Sequence, residues 1–266
     1  MKLKYITCSG LNEKKDAFAV YTMATRYCSR RKNYPIVEVG VQVSGQKCSF
    51  GSPRYEWLTE VHKLAVKNKK NVHFALHLNC DWVEMFCAGE KIPELENLLR
   101  FKDHKGKPFF SRIQLNFKID RNKVPPVEKL AEVLKKYTVP GRKFIVSYNE
   151  ANAAYLKKLY RLFKKVDCLY DSSFGEGKLG KWKSPCFGNL TKVVQGYAGG
   201  LSPENICEEM EKIIAVLPEN AVFSIDAENG LKDIVETNDE KDLSRCVRYI
   251  DLACMTAYPL RFSSDN

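Results

Sequence analysis

Two glycine-containing segments in the last third of the chain have the composition of an anion-binding site. Gly199 and Gly200 run directly into a capped helix start, and Asn229 and Gly230 follow the next apolar run along the chain. Backbone N–H groups at such turns and at the start of a helix can bind a phosphate group. Either segment alone could simply close a tight turn, but two in succession favour a phosphate site.

Two side chains at the ends of other apolar runs could transfer protons. Asp171 ends one run and leads into a glycine-rich segment, where desolvation would raise its pKa and make it a candidate general acid. Cys8 ends the first run, and a thiolate there could abstract a proton. The alternatives are that Asp171 is a turn residue and that Cys8 is a small apolar side chain of the core.

Eight short apolar runs must position these groups, and each is followed by a polar turn. Their composition is typical of strands that are covered on both faces. The runs span residues 3–8, 36–43, 72–78, 112–117, 143–148, 167–172, 192–198 and 221–227. Helical patterns lie between them at 16–27, 55–67, 83–99, 127–137, 151–164, 203–216 and 243–256, with a weak one at 185–190.

The alternation of strands and helices predicts an α/β fold. Eight units in 266 residues give about 33 residues each, which is close to the size of a βαβ unit. A doubly wound open sheet is the main alternative, but the segment after the first strand, TCSGLNEKKDA, lacks the glycine fingerprint of that fold. We therefore predict one (βα)8 TIM barrel domain over residues 1–266, with an enlarged connection between helix 3 and strand 4. In this architecture chemistry takes place on the loops that follow the strands.

The composition excludes several other classes of protein. The net charge of +11 is spread over helix ends and loops, which is typical of a solvated surface and does not favour a nucleic-acid partner. Ten cysteines without a CxxC pair predict reduced thiols and a cytoplasmic location. No apolar stretch approaches the roughly 20 residues that span a bilayer, so we expect no membrane partner.

The histidines do not predict a metal site. His73 and His77 lie on one face of the same strand, but four residues of strand separate them by about 13 Å. That distance is too large for one metal ion. His77 could line a pocket at the strand end, although a packed or hydrogen-bonded histidine is the commoner case.

The motifs at the strand ends together resemble the phosphoribosylanthranilate isomerase family of tryptophan biosynthesis. The most specific match is A-G-G-L-x-P-E-N-V after strand 7, which residues 198–206 follow with one conservative change. The other matching segments are I-T-C-S-G at 6–10, S-P-R-Y at 52–55, I-Q-L-N at 113–116, L-Y-D-S at 169–172, G-K-W at 180–182 and a looser I-D-A-E-N-G-L at 225–231.

The resemblance implies an isomerase that catalyses the Amadori rearrangement of N-(5-phosphoribosyl)anthranilate. Asp171 would protonate the ring oxygen, and Cys8 would take the proton from carbon 2. Arg54 would bind the aromatic carboxylate, and Asp226 would face the ribose. No metal or organic cofactor is implied, the partner is a small phosphorylated substrate, and the oligomeric state is left open. The implied phosphate-binding residues are Gly199, Gly200, Asn229 and Gly230.

The sequence also departs from the family pattern near the site. Ser9 separates Cys8 from the glycine that follows it, so either the loop has one extra residue or Ser9 occupies the position of the base. Phe117 replaces a glycine after strand 4, and Glu228 replaces a serine next to the phosphate segment. A carboxylate about 4 Å from a phosphate would cost on the order of 1 to 4 kcal/mol. The alternative function is therefore a non-catalytic or repurposed barrel that binds phosphate or phosphosugars.

Overall fold

Eight parallel strands close into a barrel in the order β1 to β8, which confirms the predicted fold. The computed structural model describes residues 1–27, 34–116, 125–148, 152–171, 176–187, 192–233 and 240–257. The strands are β1 (Lys2–Ser9), β2 (Ile36–Val43), β3 (His73–Leu78), β4 (Phe110–Leu115), β5 (Lys143–Tyr148), β6 (Val166–Asp171), β7 (Gln195–Ala198) and β8 (Val222–Ala227).

Eight α-helices lie in the described parts of the connections and after the last strand. They are α1 (Ala17–Ala24), α2 (Pro53–Lys67), α3 (Cys80–Ala88), α4 (Pro93–Leu98), α5 (Val127–Lys136), α6 (Ala153–Leu162), α7 (Ile206–Ala215) and α8 (Leu243–Ala257). Within these ranges, no helix has both the length and the hydropathy needed for a membrane span.

The connection between β3 and β4 is enlarged, as predicted, but it contains two helices where the sequence pattern predicts one. Gly89 ends α3 with a φ of 77°, a left-handed conformation that favours glycine. Pro93 then begins α4, since proline is well suited to the first turn of a helix. After α4, a bridge between Lys102 and Pro108 closes a short loop, and His62 of α2 donates a hydrogen bond to the Lys102 carbonyl at 2.8 Å.

Alternation along each strand separates the core around the barrel from the polar interior. On β2, Val37, Val39 and Val41 are buried in the layer between strands and helices. Between them, Glu38 contacts Thr7 of β1 and Arg112 of β4 across the barrel interior. This period of two places the even-numbered residues of β2 inside the barrel.

A buried charge network fills the interior at the amino-terminal half of the strands. Arg112 contacts Glu38 at 2.7 Å and Asp167 at 3.8 Å, and Lys143 contacts Asp167 at 2.6 Å. The Arg112 guanidinium also lies over the Tyr5 ring, 4.3 Å from its centroid. We call these five residues the barrel network.

Candidate functional site

The carboxyl ends of four strands bring a hydroxyl, a carboxyl and an imidazole group together. Ser9 at the end of β1 donates a 2.6 Å hydrogen bond from Oγ to Oδ1 of Asp226 on β8. A Cβ on Gly40 of β2 would lie 2.5 Å from Ser9 Oγ and 2.7 Å from Nε2 of His77 on β3. Because Gly40 has no side chain, the Ser9 hydroxyl group and the His77 imidazole ring can both lie over its Cα atom. We call these four residues the mouth cluster.

The carboxyl group of Asp226 is buried, and its pKa is raised. Only 9% of the residue is exposed, and burial raises the pKa of this carboxyl well above its usual range. The hydrogen bond from Ser9 opposes that rise, whereas the nearby carboxylates of Glu228 and Glu38 add to it. A raised carboxyl pKa moves toward the pH at which a group both accepts and donates protons efficiently.

His77 is buried and neutral. The residue is 2% exposed, and burial, with a smaller contribution from Arg112, lowers its pKa to about 3. Its Nε2 atom has no hydrogen-bond partner among the described residues. Nearly all buried side-chain polar atoms in proteins are hydrogen-bonded, so this nitrogen requires an explanation.

Glu228, one of the departures from the family pattern, is oriented toward β2. Gln42 at the end of β2 donates a 2.6 Å hydrogen bond to its Oε1 atom. The side chain of Lys241 lies beside it, since a Cβ on Gly10 would contact both side chains. In the order of strands, β2 and β7 lie on opposite sides of β8. The Glu228 carboxylate thus extends away from the Gly199 turn that follows β7.

The two glycine segments meet, as a phosphate site after β7 and β8 requires. Gly199 and Gly200 have φ values of 107° and 69°, a conformation that favours glycine. The Cα of Gly230 packs so closely against the Leu201 carbonyl oxygen that a Cβ there would overlap it. Arg245 of α8 donates to the Gly230 carbonyl at 2.8 Å and fixes the second segment.

A segment after β6 covers both glycine turns. A Cβ on Gly200 would lie 2.5 Å from the Leu179 backbone nitrogen, and a Cβ on Gly177 would overlap the Asn229 side chain. Trp182 anchors this segment to α7 by a 2.8 Å hydrogen bond from Nε1 to Oε2 of Glu209. An anion bound here would lie among three chain segments.

Cys8 does not lie in the barrel mouth. Its thiol is fully buried and faces α8, where the hydrogen-bonding thiol of Cys246, together with burial, raises the pKa of Cys8 well above its usual range. Such a group is a thiol and not a thiolate at neutral pH. The sequence left two alternatives for this strand end: one extra residue in the loop, or Ser9 at the position of the base. The geometry favours the second, because the Ser9 side chain faces the mouth.

The other predicted residues lie at the mouth with different partners. Arg54 at the start of α2 is ion-paired through Nε with Glu13, and its Nη1 donates to the Gln42 carbonyl at 2.8 Å. Asp171 ends β6 and is paired in register with Ala198 of β7, next to the glycine turn. Phe117 lies outside the described residues.

Within the described ranges, no group of three or more His, Cys, Asp or Glu side chains is arranged to hold a metal ion.

No protein-family model matches the sequence, and no curated protein matches it either. Solved structures do match. Phosphoribosyl anthranilate isomerase from Thermotoga maritima superposes with a TM-score of 0.53 at 16% identity, over 94% of this chain and 98% of that one. The chain has a fold similar to that of the phosphoribosylanthranilate isomerases. The predicted resemblance is thus confirmed at the level of the fold.

Two further matches show how broad this similarity is. A phosphoribosyl anthranilate isomerase in complex with reduced 1-(o-carboxyphenylamino)-1-deoxyribulose 5-phosphate matches with a TM-score of 0.51 at 14% identity, over 94% of this chain and 98% of that one. The YdjI aldolase from Escherichia coli K12 also reaches 0.51, at 11% identity, over 98% of this chain and 90% of that one. The reaction must therefore be argued from the site.

The site residues predicted from the sequence include one member of the mouth cluster, Asp226, and not the other three. Gly40 interrupts the run of β-branched residues in IVEVGVQV, and a glycine inside a strand often marks a close approach of another group. That signal was present in the sequence. Ser9 was considered as an insertion or as the occupant of the position of the base, and His77 as a residue that could line a pocket at the strand end.

Proposed function

We propose that the chain is an isomerase that acts on a phosphorylated sugar derivative at the carboxyl end of the barrel. One observation carries the proposal: two glycine turns after β7 and β8 meet at the same end of the barrel as the buried Asp226 carboxyl group. A phosphate at the turns would place the rest of a small substrate over the mouth cluster. Backbone N–H groups would fix the phosphate, and Asp226 would transfer the proton.

The proposed catalytic residues differ from those that the family resemblance implies. Asp171, at the β6 end beside the glycine turn, keeps the role of general acid that opens the ribose ring. Cys8 is left out because its buried thiol faces α8. In its place, Asp226 would accept the carbon-2 proton while Ser9 orients the carboxyl group through their 2.6 Å hydrogen bond.

The specific substrate that we propose is N-(5-phosphoribosyl)anthranilate. The compound in complex with the structurally similar isomerase carries a carboxyphenyl group and a 5-phosphate, and in this chain Arg54 and the glycine turns would bind them. Arg54 would bind the carboxylate through its planar guanidinium fork. Glu13 already pairs with Arg54, so the substrate carboxylate would have to displace that side chain or use the remaining donors.

A second candidate function is a barrel that binds a phosphorylated ligand without catalysis. The observations that favour it are the ion pair between Glu13 and Arg54 and the close packing of Leu179 on Gly200. Both contacts occupy positions that the substrate of an isomerase would need.

Complementation of a tryptophan auxotroph that lacks the isomerase separates the two functions. We expect growth with the wild-type chain and with Cys8→Ser, and no growth with Asp171→Asn or Asp226→Asn. Growth that survives Asp226→Asn would exclude Asp226 as the base, and growth that Cys8→Ser abolishes would restore the cysteine. No growth with the wild-type chain, combined with stabilisation by phosphosugars in a thermal-shift assay, would support the binding function.

A further inference from the structure

The unpartnered nitrogen of His77 is buried beside the Ser9 hydroxyl group at the carboxyl end of the strands. The ring shares the space above Gly40 with the Ser9 hydroxyl, and Ser9 in turn contacts Asp226. Ser9 is therefore the common neighbour of the imidazole and the carboxyl group. An atom bound over Ser9 would lie beside both.

The polar neighbours of His77 are engaged elsewhere. In strand register, Gln42 and Gln114 flank His77 on either side. Gln42 donates to Glu228 at 2.6 Å, and Gln114 donates to Asn116 at 2.9 Å. Neither amide group bonds to the His77 Nε2 atom, although both strands place one next to it.

We propose that His77 is a catalytic residue whose neutral imidazole hydrogen-bonds to the oxygen on carbon 2 of the substrate while Asp226 exchanges the proton on that carbon. The inference rests on the proposed isomerase function and assigns the substrate class of the site as a phosphosugar imine or aldehyde with a hydroxyl group on carbon 2. A neutral imidazole suits this role because it donates a hydrogen bond without a net charge that burial would penalise.

The proton and electron balance of the reaction defines what His77 would do. The carbon-2 hydrogen leaves as a proton to the Asp226 carboxylate, and its electron pair forms the double bond between carbons 1 and 2. The pair from the carbon–nitrogen double bond of the protonated imine moves onto nitrogen. Asp226 then returns its proton to carbon 1 while the enol hydroxyl group loses its proton to solvent water, which yields the ketone and restores the carboxylate. A hydrogen bond to the carbon-2 oxygen strengthens as charge develops there.

Nitrogen-15 NMR of the histidine side chains tests the contact directly. The chain has only four histidines, and a His77→Gln variant assigns the signal. We expect reduced 1-(o-carboxyphenylamino)-1-deoxyribulose 5-phosphate to shift the His77 Nε2 resonance and the backbone amides of Gly199 and Gly200. Inorganic phosphate alone should shift the glycine amides and leave His77 unchanged.

The outcomes distinguish this inference from the proposed function. If the analogue shifts the glycine amides but not His77 Nε2, an ordered water or no ligand satisfies that nitrogen, and the inference is wrong while the function stands. If the analogue shifts neither, both are wrong. A His77 shift with inorganic phosphate alone would also overturn the inference, because the nitrogen would then belong to the phosphate site.

Kinetics with a matched control provides the second test. Loss of one preorganised donor typically lowers kcat about 100-fold to 1000-fold, so we expect His77→Ala to lower kcat by about 100-fold with little change in KM. His77→Gln should recover part of the loss, and His73→Gln, on the same strand at its opposite end, should leave kcat unchanged. A kcat for His77→Ala within threefold of wild type would contradict the role.

Discussion

The substitution Gly40→Ala tests whether a missing side chain holds the mouth cluster together. The new methyl group would lie 2.5 Å from Ser9 Oγ and 2.6 Å from His77 Cε1, whereas optimal contacts between heavy atoms are about 3.5 to 4.0 Å. Both neighbours belong to strands of the same closed barrel, so each must move by about 1 Å. Overpacking of this kind costs about 1 to 3 kcal/mol.

Urea denaturation measures this loss, and double variants show its origin. Thermal unfolding provides a second measurement, since each kcal/mol of lost stability lowers the Tm of a domain of roughly this size by about 2 to 4 °C. If the methyl group clashes with the imidazole, Gly40→Ala should cost less in a His77→Ala background, with a coupling free energy of about 0.5 to 3 kcal/mol. A stability for Gly40→Ala within about 0.5 kcal/mol of wild type, or an equal loss in both backgrounds, would refute this reading of the cluster.

Three further predictions concern the charges inside the barrel and the thiol between β1 and α8. Arg112→Met leaves the buried Glu38 carboxylate without its 2.7 Å partner, so we expect a loss of about 3 to 5 kcal/mol by urea denaturation, most of which Glu38→Leu in the same chain should restore. Burial raises the pKa of Asp226 above its value in the unfolded chain, which is near 3.8, so ionisation of this carboxyl group opposes folding. The stability that the protonated form provides is complete below the unfolded pKa and is lost as the pH rises through the raised pKa of the folded protein. Asp226→Asn should therefore match wild type near pH 4 and become the more stable of the two as the pH rises, and equal stabilities across a pH titration would contradict the burial effect. Cys8→Ser places a hydroxyl against α8 and should lower the unfolding free energy while leaving the affinity for a phosphosugar, measured by calorimetry, unchanged; a loss of affinity at unchanged stability would return the residue to the site.

The architecture of the barrel was predictable because its signals are local. Each strand is a short apolar run, and a parallel sheet that is covered on both faces leaves such a run in the sequence. The boundaries moved by only a few residues, as β4 shows by ending at Leu115 and not at 117. The single helix predicted for 83–99 failed because Gly89 and Pro93 outweigh the apolar period across them.

The meeting of the glycine turns was predictable for a different reason. Strands that follow each other in a (βα)8 barrel are neighbours, so the loops after β7 and β8 must lie side by side. Their contact at Gly230 and Leu201 follows from topology alone. The mouth cluster was predictable only in part. Topology makes β8, β1, β2 and β3 consecutive neighbours, but the meeting of their side chains in one space depends on packing.

The contrast between Cys8 and Ser9 shows why a motif match does not by itself transfer a role. Successive residues of a strand face opposite sides, so a shift of one position moves a side chain from the barrel interior to the layer beneath the helices. Ser9 separates Cys8 from the following glycine, and the strand register places Ser9 against Gly40 on the inside and leaves Cys8 against α8. A hydroxyl group at that position cannot replace a thiolate as a base. It can hold the neighbouring carboxyl group, and its 2.6 Å hydrogen bond to Asp226 is the reason to look for proton transfer at β8.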